Sequence, residues 1–212
     1  MKNPKKMKKT SIKERSEHYY TEKPQSKLRI YEIEVSARGQ SLKLFTASGI
    51  FSYRKLDKGT ELLINKSIIH PKWKILDLGC GYGAVGITLK KAFPTIDAVF
   101  SDVNERAVGI TRKNLKKLKI KGEAVKSNVF DNIKDKDFDA ILLNPPQTAG
   151  KKICFKMIED SIGHLKKEGL LQVVARHNKG GKELSRKMEE VFGNVRGIAK
   201  KAGYRIYLSE KG

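Results

Sequence analysis

Three short stretches of this 212-residue chain combine residue types that could do chemistry. In the first, the apolar run "WKILDLG" enters a glycine cluster, Asp77-Leu78-Gly79-Cys80-Gly81-Tyr82-Gly83, that lets the backbone turn tightly and approach a ligand. Gly81 to Gly86 satisfy G-x-G-x-x-G literally, so a dinucleotide site is one reading. Asp77 weighs against it, because a carboxylate at a strand tip repels a pyrophosphate and welcomes an ammonium. In the second stretch, "VFSDVN", the next apolar run ends on Asp102, placed to accept hydrogen bonds from both hydroxyls of a ribose. The third, "FDAILLNPPQTAGKK", is a buried run that stops at Asn144-Pro145-Pro146. One proline would end a strand, so an amide followed by two residues without a backbone N–H asks for a further reason.

The elements that must position these residues follow from periodicity. "KLRIYEIEV" and "QSLKLFT" alternate apolar and polar residues around "SARG", which predicts a β-hairpin. From Trp73 onward, near-continuous apolar runs alternate with helical patterns: strand, "AVGITLKKAF", "IDAVFSD", "ERAVGITRKNLKKL", "GEAVKSN" and "DFDAILLN". The helix "KICFKMIEDSIGHLKK", the strand "GLLQVVAR" and the helix "GKELSRKMEEVF" follow, and "NVRGIAKK" with "GYRIYLSE" closes as a hairpin. The expectation is an α/β fold: a Rossmann-like, seven-stranded, mostly parallel sheet with helices on both faces and a C-terminal antiparallel hairpin, preceded by a small N-terminal β-hairpin.

Composition narrows the partners. The net charge is +22, and a protein this basic is usually held near a polyanion, with nucleic acid the obvious one. A Lys-rich thermophile surface is the competing explanation, but it normally raises Glu with Lys, and here 23 acidic residues stand against 45 basic ones. No apolar run approaches a membrane span, the basic N-terminus lacks the apolar segment of a secretory signal, and the two cysteines have no metal-type spacing. The reading is a cytoplasmic protein with no metal and no membrane partner, a monomer being favoured.

Taken together, "DLGCGYG", Asp102 in "VFSDVN" and Asn128 in "KSNVF" resemble the class I S-adenosylmethionine-dependent methyltransferases. The segment "FTASGIFSYRKLDKGTELLI", with "HYYTEKP" and "GYRIYLSE", is similar to the archaeal single-domain branch of the small-domain 16S rRNA guanine-N2 methyltransferases. The resemblance implies S-adenosylmethionine as cofactor, held by Phe51, Asp57, Gly59, Thr60, Asp77, Gly79, Cys80, Gly81, Gly83, Asp102, Val103, Asn128, Val129 and Asn144. It also answers the question raised by Asn144, Pro145 and Pro146, the expected catalytic residues. In that family the motif marks methylation of planar nitrogens: the Asn144 side-chain oxygen and the Pro145 carbonyl would grip the amino hydrogens and orient a delocalised lone pair. The implied division is a basic flexible arm (1–15), a β-hairpin extension (16–46) and a methyltransferase domain (47–212).

This sequence departs from the family at Gln147, where Tyr or Phe usually stacks on the target base. Gln147 then reads a base edge, or stacking comes from Tyr19 and Tyr20. Lys151, Lys152, Arg176, His177 and Lys179 are expected to clamp phosphates around an extruded nucleotide. His177 has the chemistry of a general base, but a protonated amine sheds its proton readily, so a phosphate contact or a solvated loop is preferred. His70 and His164 read as structural. The expected substrate is ribosomal RNA methylated at guanine N2 or cytosine N4. A transfer RNA target, and a non-catalytic RNA-binding or ribosome-assembly module on the same fold, are the alternatives.

Overall fold

Parallel strands buried on both faces need no polar alternation, and the chain's apolar runs form such a sheet. In the computed structural model, residues 22, 24 and 26–212 are described. Tyr19, Tyr20 and the arm at 1–15 lie outside them. The chain runs β1 (Ile30–Ala37), β2 (Gln40–Ala47), α1 (Lys58–Lys66), β3 (Lys74–Leu78), α2 (Ala84–Ala92), β4 (Asp97–Asp102), α3 (Glu105–Lys117) and β5 (Glu123–Lys126). It continues through β6 (Phe138–Leu143), α4 (Lys151–Ser161), β7 (Leu165–Arg176), α5 (Lys182–Phe192), β8 (Arg196–Lys201) and β9 (Tyr204–Glu210). The main sheet has seven strands in the order β5-β4-β3-β6-β7-β9-β8, with β9 antiparallel to both of its neighbours. One apolar cluster packs on each face of it. The expected fold class holds.

The N-terminal hairpin turns on Arg38 and Gly39, both with positive φ (48° and 72°), as a two-residue turn matched to strand twist requires. Its Val35 and Leu44 are fully buried in the same core as α2 and α3. The buried Asn114 on α3 staples it there: its amide bonds both backbone groups of Phe45 (2.7 and 2.8 Å) and the carbonyl of Tyr82. In that same core, a Cβ on Gly86 would stand 2.3 Å from Cε1 of Phe100, so glycine is what lets α2 lie directly on β4.

Two expectations need correction. The segment at 152–167 is not all helix: α4 ends at Ser161, and β7 begins at Leu165, which is 1% exposed and pairs with Phe138. Lys166 to Glu168 then bulge out before pairing resumes at Leu170, so "HLKK" only mimics a helical repeat. His164 sits in the turn between them, stacked on Phe130, with Nδ1 2.6 Å from the Asp135 carbonyl. The second correction is an omission: residues 58–66 form helix α1, which no periodic signal announces.

Candidate active site

The strand order reverses between the parallel neighbours β3 and β6. From β3 the sheet grows outward through β4 to β5, and from β6 through β7 to the closing hairpin. Loops leaving the carboxyl ends of these two strands diverge, and a cleft opens between them, with about 920 Å³ of empty space including what is continuous with solvent. The glycine loop forms one wall and Asn144-Pro145-Pro146 another. Among the described residues the wall contains no Lys, Arg or His, in a chain carrying 45 Lys and Arg.

Asp77, at the end of β3, is 3% exposed, and its Oδ2 accepts from the Gly86 N–H at 2.9 Å. Gly86 is the third residue of α2, so a carboxylate already occupies the helix N-terminus on which a pyrophosphate would sit. Burial raises the Asp77 carboxyl to about 7; the Gly86 N–H opposes this and the charge of Asp102 adds to it. Asp102, at the tip of β4, accepts from the Gly81 N–H (2.8 Å) and the Asn104 N–H (2.8 Å), and burial raises it to about 6 against these bonds. It is not the cap of α3. Asn104 takes that role, accepting from the N–H groups of Arg106 and Ala107. Each Asp102 oxygen keeps acceptor capacity for a further hydroxyl. Cys80 also lines the cleft, with burial pushing its thiol well up, so it supplies wall rather than a nucleophile.

At the end of β6, the Nδ2 of Asn144 donates to Thr60 Oγ1 at 2.9 Å, with Asp57 Oδ2 a longer 3.4 Å away. The amide oxygen accepts no hydrogen bond from the described residues. The Pro145 carbonyl accepts from the Gln147 N–H at 2.8 Å around Pro146 (φ −74°, ψ 76°), an inverse γ-turn that spends one of its two lone pairs. Asn144 and Pro145 both line the cleft, and each has an oxygen with acceptor capacity left.

Of the residues expected to hold the cofactor, Phe51, Thr60, Asp77, Gly79, Cys80, Gly81, Asp102, Val103, Val129 and Asn144 line the cleft. Four other residues do not. Asn128 is exposed and bonds Asp131, while its neighbours Ser127 and Val129 face inward. Gly83 is the N-cap residue before α2, with φ 82°. Asp57 caps α1, its Oδ2 accepting from the Gly59 and Thr60 N–H groups at 2.8 and 3.0 Å. Gly59 is glycine because a Cβ there would stand 2.7 Å from the Tyr204 ring. Sequence reading missed Tyr204, whose hydroxyl donates to Asp57 Oδ1 at 3.1 Å, and also Ile50, Ser127 and Met157 in the wall.

Among the described residues, Gln147, Lys151, Lys152, Arg176, His177 and Lys179 of the expected substrate set lie at or beyond the carboxyl ends of β6 and β7. Gln147 Nε2 donates to the Lys179 carbonyl at 2.8 Å, tying the loop after β6 to the loop after β7. Arg176 is exposed, donates from Nε to the Tyr204 hydroxyl (3.1 Å) and lies over that ring. His177 Nδ1 is 2.7 Å from the Tyr207 hydroxyl; desolvation lowers its pKa, with Arg205 and Lys182 adding repulsion. Lys151 pairs with Glu183, and Lys152 and Lys179 are exposed. Among the described residues no three His, Cys, Asp or Glu side chains gather as a metal would need, and no helix is long and apolar enough to cross a membrane.

A strand-end acid on either side of a glycine loop, at the switch point of this sheet, defines the fold of class I S-adenosylmethionine-dependent methyltransferases. Comparison places the chain more narrowly: residues 41–208 match the Methyltransferase small domain family, and the chain belongs to it. It is 37% identical over 200 residues to the uncharacterized protein YbxB of Bacillus subtilis, covering 92% of this chain and 99% of that one. It is 34% identical over 181 residues to Ribosomal RNA small subunit methyltransferase C of Actinobacillus pleuropneumoniae, covering 82% of this chain and 54% of that one. The chain thus spans about half the length of those ribosomal RNA methyltransferase relatives. Among solved structures, the 16S rRNA N2 methyltransferase RsmC of T. thermophilus, in complex with AdoMet and guanosine, superposes with a TM-score of 0.75 at 22% identity. That match covers 89% of this chain and 52% of the other.

Proposed function

We propose that this protein uses S-adenosylmethionine to methylate an exocyclic base amine of ribosomal RNA, guanine N2 first and cytosine N4 second. The observation that carries the reading is the pair of acceptors at Asn144 and Pro145, on a cleft whose own charges are acidic. When bound, S-adenosylmethionine supplies a methyl group made electrophilic by its sulfonium. The residues present fit it: Asp102 takes the ribose hydroxyls, Asp77 favours the cationic end, and the open glycine backbone lets the ligand lie close. An exocyclic amine is a poor nucleophile because its lone pair is delocalised into the ring. Accepting both of its hydrogens turns that lone pair outward and stabilises the positive charge that develops on nitrogen. Ribosomal RNA is supported by the relatives named Ribosomal RNA small subunit methyltransferase C, and guanine N2 is preferred because the similar T. thermophilus RsmC structure is of a 16S rRNA N2 methyltransferase with AdoMet and guanosine.

The separation of charge supports an RNA substrate. The cleft is acidic while the rim carries Arg176, Lys179, Lys182 and Arg205, so a polyanion is attracted to the mouth and only a base enters. Calorimetry tests the reading against a non-catalytic module. S-adenosylmethionine should bind the purified protein with measurable heat, and folded protein that gives none would favour the module. We also expect deletion of residues 1–15, with seven Lys and Arg, to weaken RNA binding and flatten its salt dependence. An unchanged salt slope would remove the arm from the RNA footprint.

A further inference from the structure

Resting on that reading, we infer that Thr60, Asp57 and Tyr204 are positioning residues that decide which end of the Asn144 amide meets the substrate. An Asn amide presents an acceptor on one side and donors on the other, and only the acceptor end can grip an amine. Asp57 is the fixed point. A carboxylate is acceptor-only, and its Oδ2 accepts from the first N–H groups of α1. Its Oδ1 accepts from the Tyr204 hydroxyl at 3.1 Å. That hydroxyl in turn accepts from Arg176 Nε at 3.1 Å, which commits the phenolic proton to Asp57. The Tyr204 ring itself is seated on Gly59, where no other residue leaves room for it.

Thr60 Oγ1 lies 3.5 Å from Asp57 Oδ2, at the limit of a hydrogen bond, and 2.9 Å from Asn144 Nδ2. With its proton turned to the carboxylate, it offers Asn144 a lone pair. Asn144 thus faces two acceptors and can present only its NH₂ to them. A rotated amide would set its oxygen against a carboxylate oxygen 3.4 Å away. The amide oxygen is left for the cleft beside the Pro145 carbonyl. Four segments distant in sequence, the cap of α1 and the ends of β6, β7 and β9, converge on this one choice of orientation. The outermost member, Arg176, stands exposed on the rim where RNA phosphate would arrive.

The test compares Thr60→Val, Thr60→Ser and Tyr204→Phe with wild type in the full chain. It measures kcat and KM on ribosomal RNA, donor Kd by calorimetry, and exchange of the Asn144 side-chain NH₂ protons in ligand-free protein by NMR. Thr60→Val, nearly isosteric, should lower kcat about tenfold or more while donor Kd and RNA KM move less than about threefold. Its Asn144 NH₂ protons should exchange faster. Thr60→Ser, which keeps the hydroxyl, should recover most of the turnover. Tyr204→Phe keeps the ring on Gly59 and should cost about threefold to tenfold in kcat, so it carries the test if Thr60→Val fails to fold. Full kcat in both Thr60→Val and Tyr204→Phe, or equal impairment of the Val and Ser variants, would overturn the network. Turnover retained by Asn144→Ala would instead overturn the functional reading beneath it.

Discussion

Asn144→Ala should cost about 10²–10³ in turnover while donor affinity changes by less than about threefold, because the residue acts on charge that appears only during transfer. The structure makes this split sharp. Asn144 reaches its neighbours through its NH₂ end, to Thr60 and Asp57, and neither the glycine loop nor Asp102 depends on it. Truncation therefore removes one of the two acceptors for the amine and leaves the nucleoside end of the cleft intact. The Pro145 carbonyl remains, held by the γ-turn, so residual activity above background is expected. Steady-state rates on ribosomal RNA beside calorimetric donor titrations check it. Turnover within a few-fold of wild type would remove Asn144 from the chemistry.

The second large effect concerns the buried acids. Burial raises Asp77 to about 7 and Asp102 to about 6, both above an unfolded carboxyl. The sign follows from linkage. In the ligand-free protein their contribution to stability is complete below the unfolded pKa and is lost as pH rises through about 6 and about 7. A cationic donor whose ribose bonds a carboxylate needs both acids ionised, so its binding expels protons across the same window. Donor affinity should weaken about tenfold or more between about pH 7.5 and pH 5.5, with proton release visible when buffers of different ionisation enthalpy are compared. Asp102→Ala should weaken donor binding about 100-fold by deleting charge-assisted acceptors. A flat profile over that pH window would show that neither carboxyl is raised into it in the ligand-free protein.

Much of this was legible in sequence because the decisive signals are local. Buried parallel strands read as unbroken apolar runs, and the loop from Asp77 to Gly83 combines backbone freedom and charge within seven residues. Asn144-Pro145-Pro146 stands out because prolines punctuate an otherwise apolar strand. What escaped was either long-range or shifted by a residue. The identities of Asp57 and Gly59, expected to hold the cofactor, answer to a helix cap and to the ring of Tyr204, which is 147 residues beyond Asp57. No local pattern announces such a contact. Helix α1 was missed because its nine residues are too few to show a period. Asn128 lies past the end of β5, in a turn where Val129 takes a φ of 52°, and there Ser127 and Val129 are buried while the amide stays outside.

The central claim is that the cleft presents an exocyclic base amine for methylation, and the direct measurement is the chemical identity of the product. Purified protein, ribosomal RNA and isotope-labelled S-adenosylmethionine would be incubated together, and the RNA digested to nucleosides for mass spectrometry. The account predicts label on an exocyclic nitrogen, as N2-methylguanosine or failing that N4-methylcytidine, and its loss with Asn144→Ala. Label confined to a ribose hydroxyl, a ring nitrogen or a base carbon would contradict it.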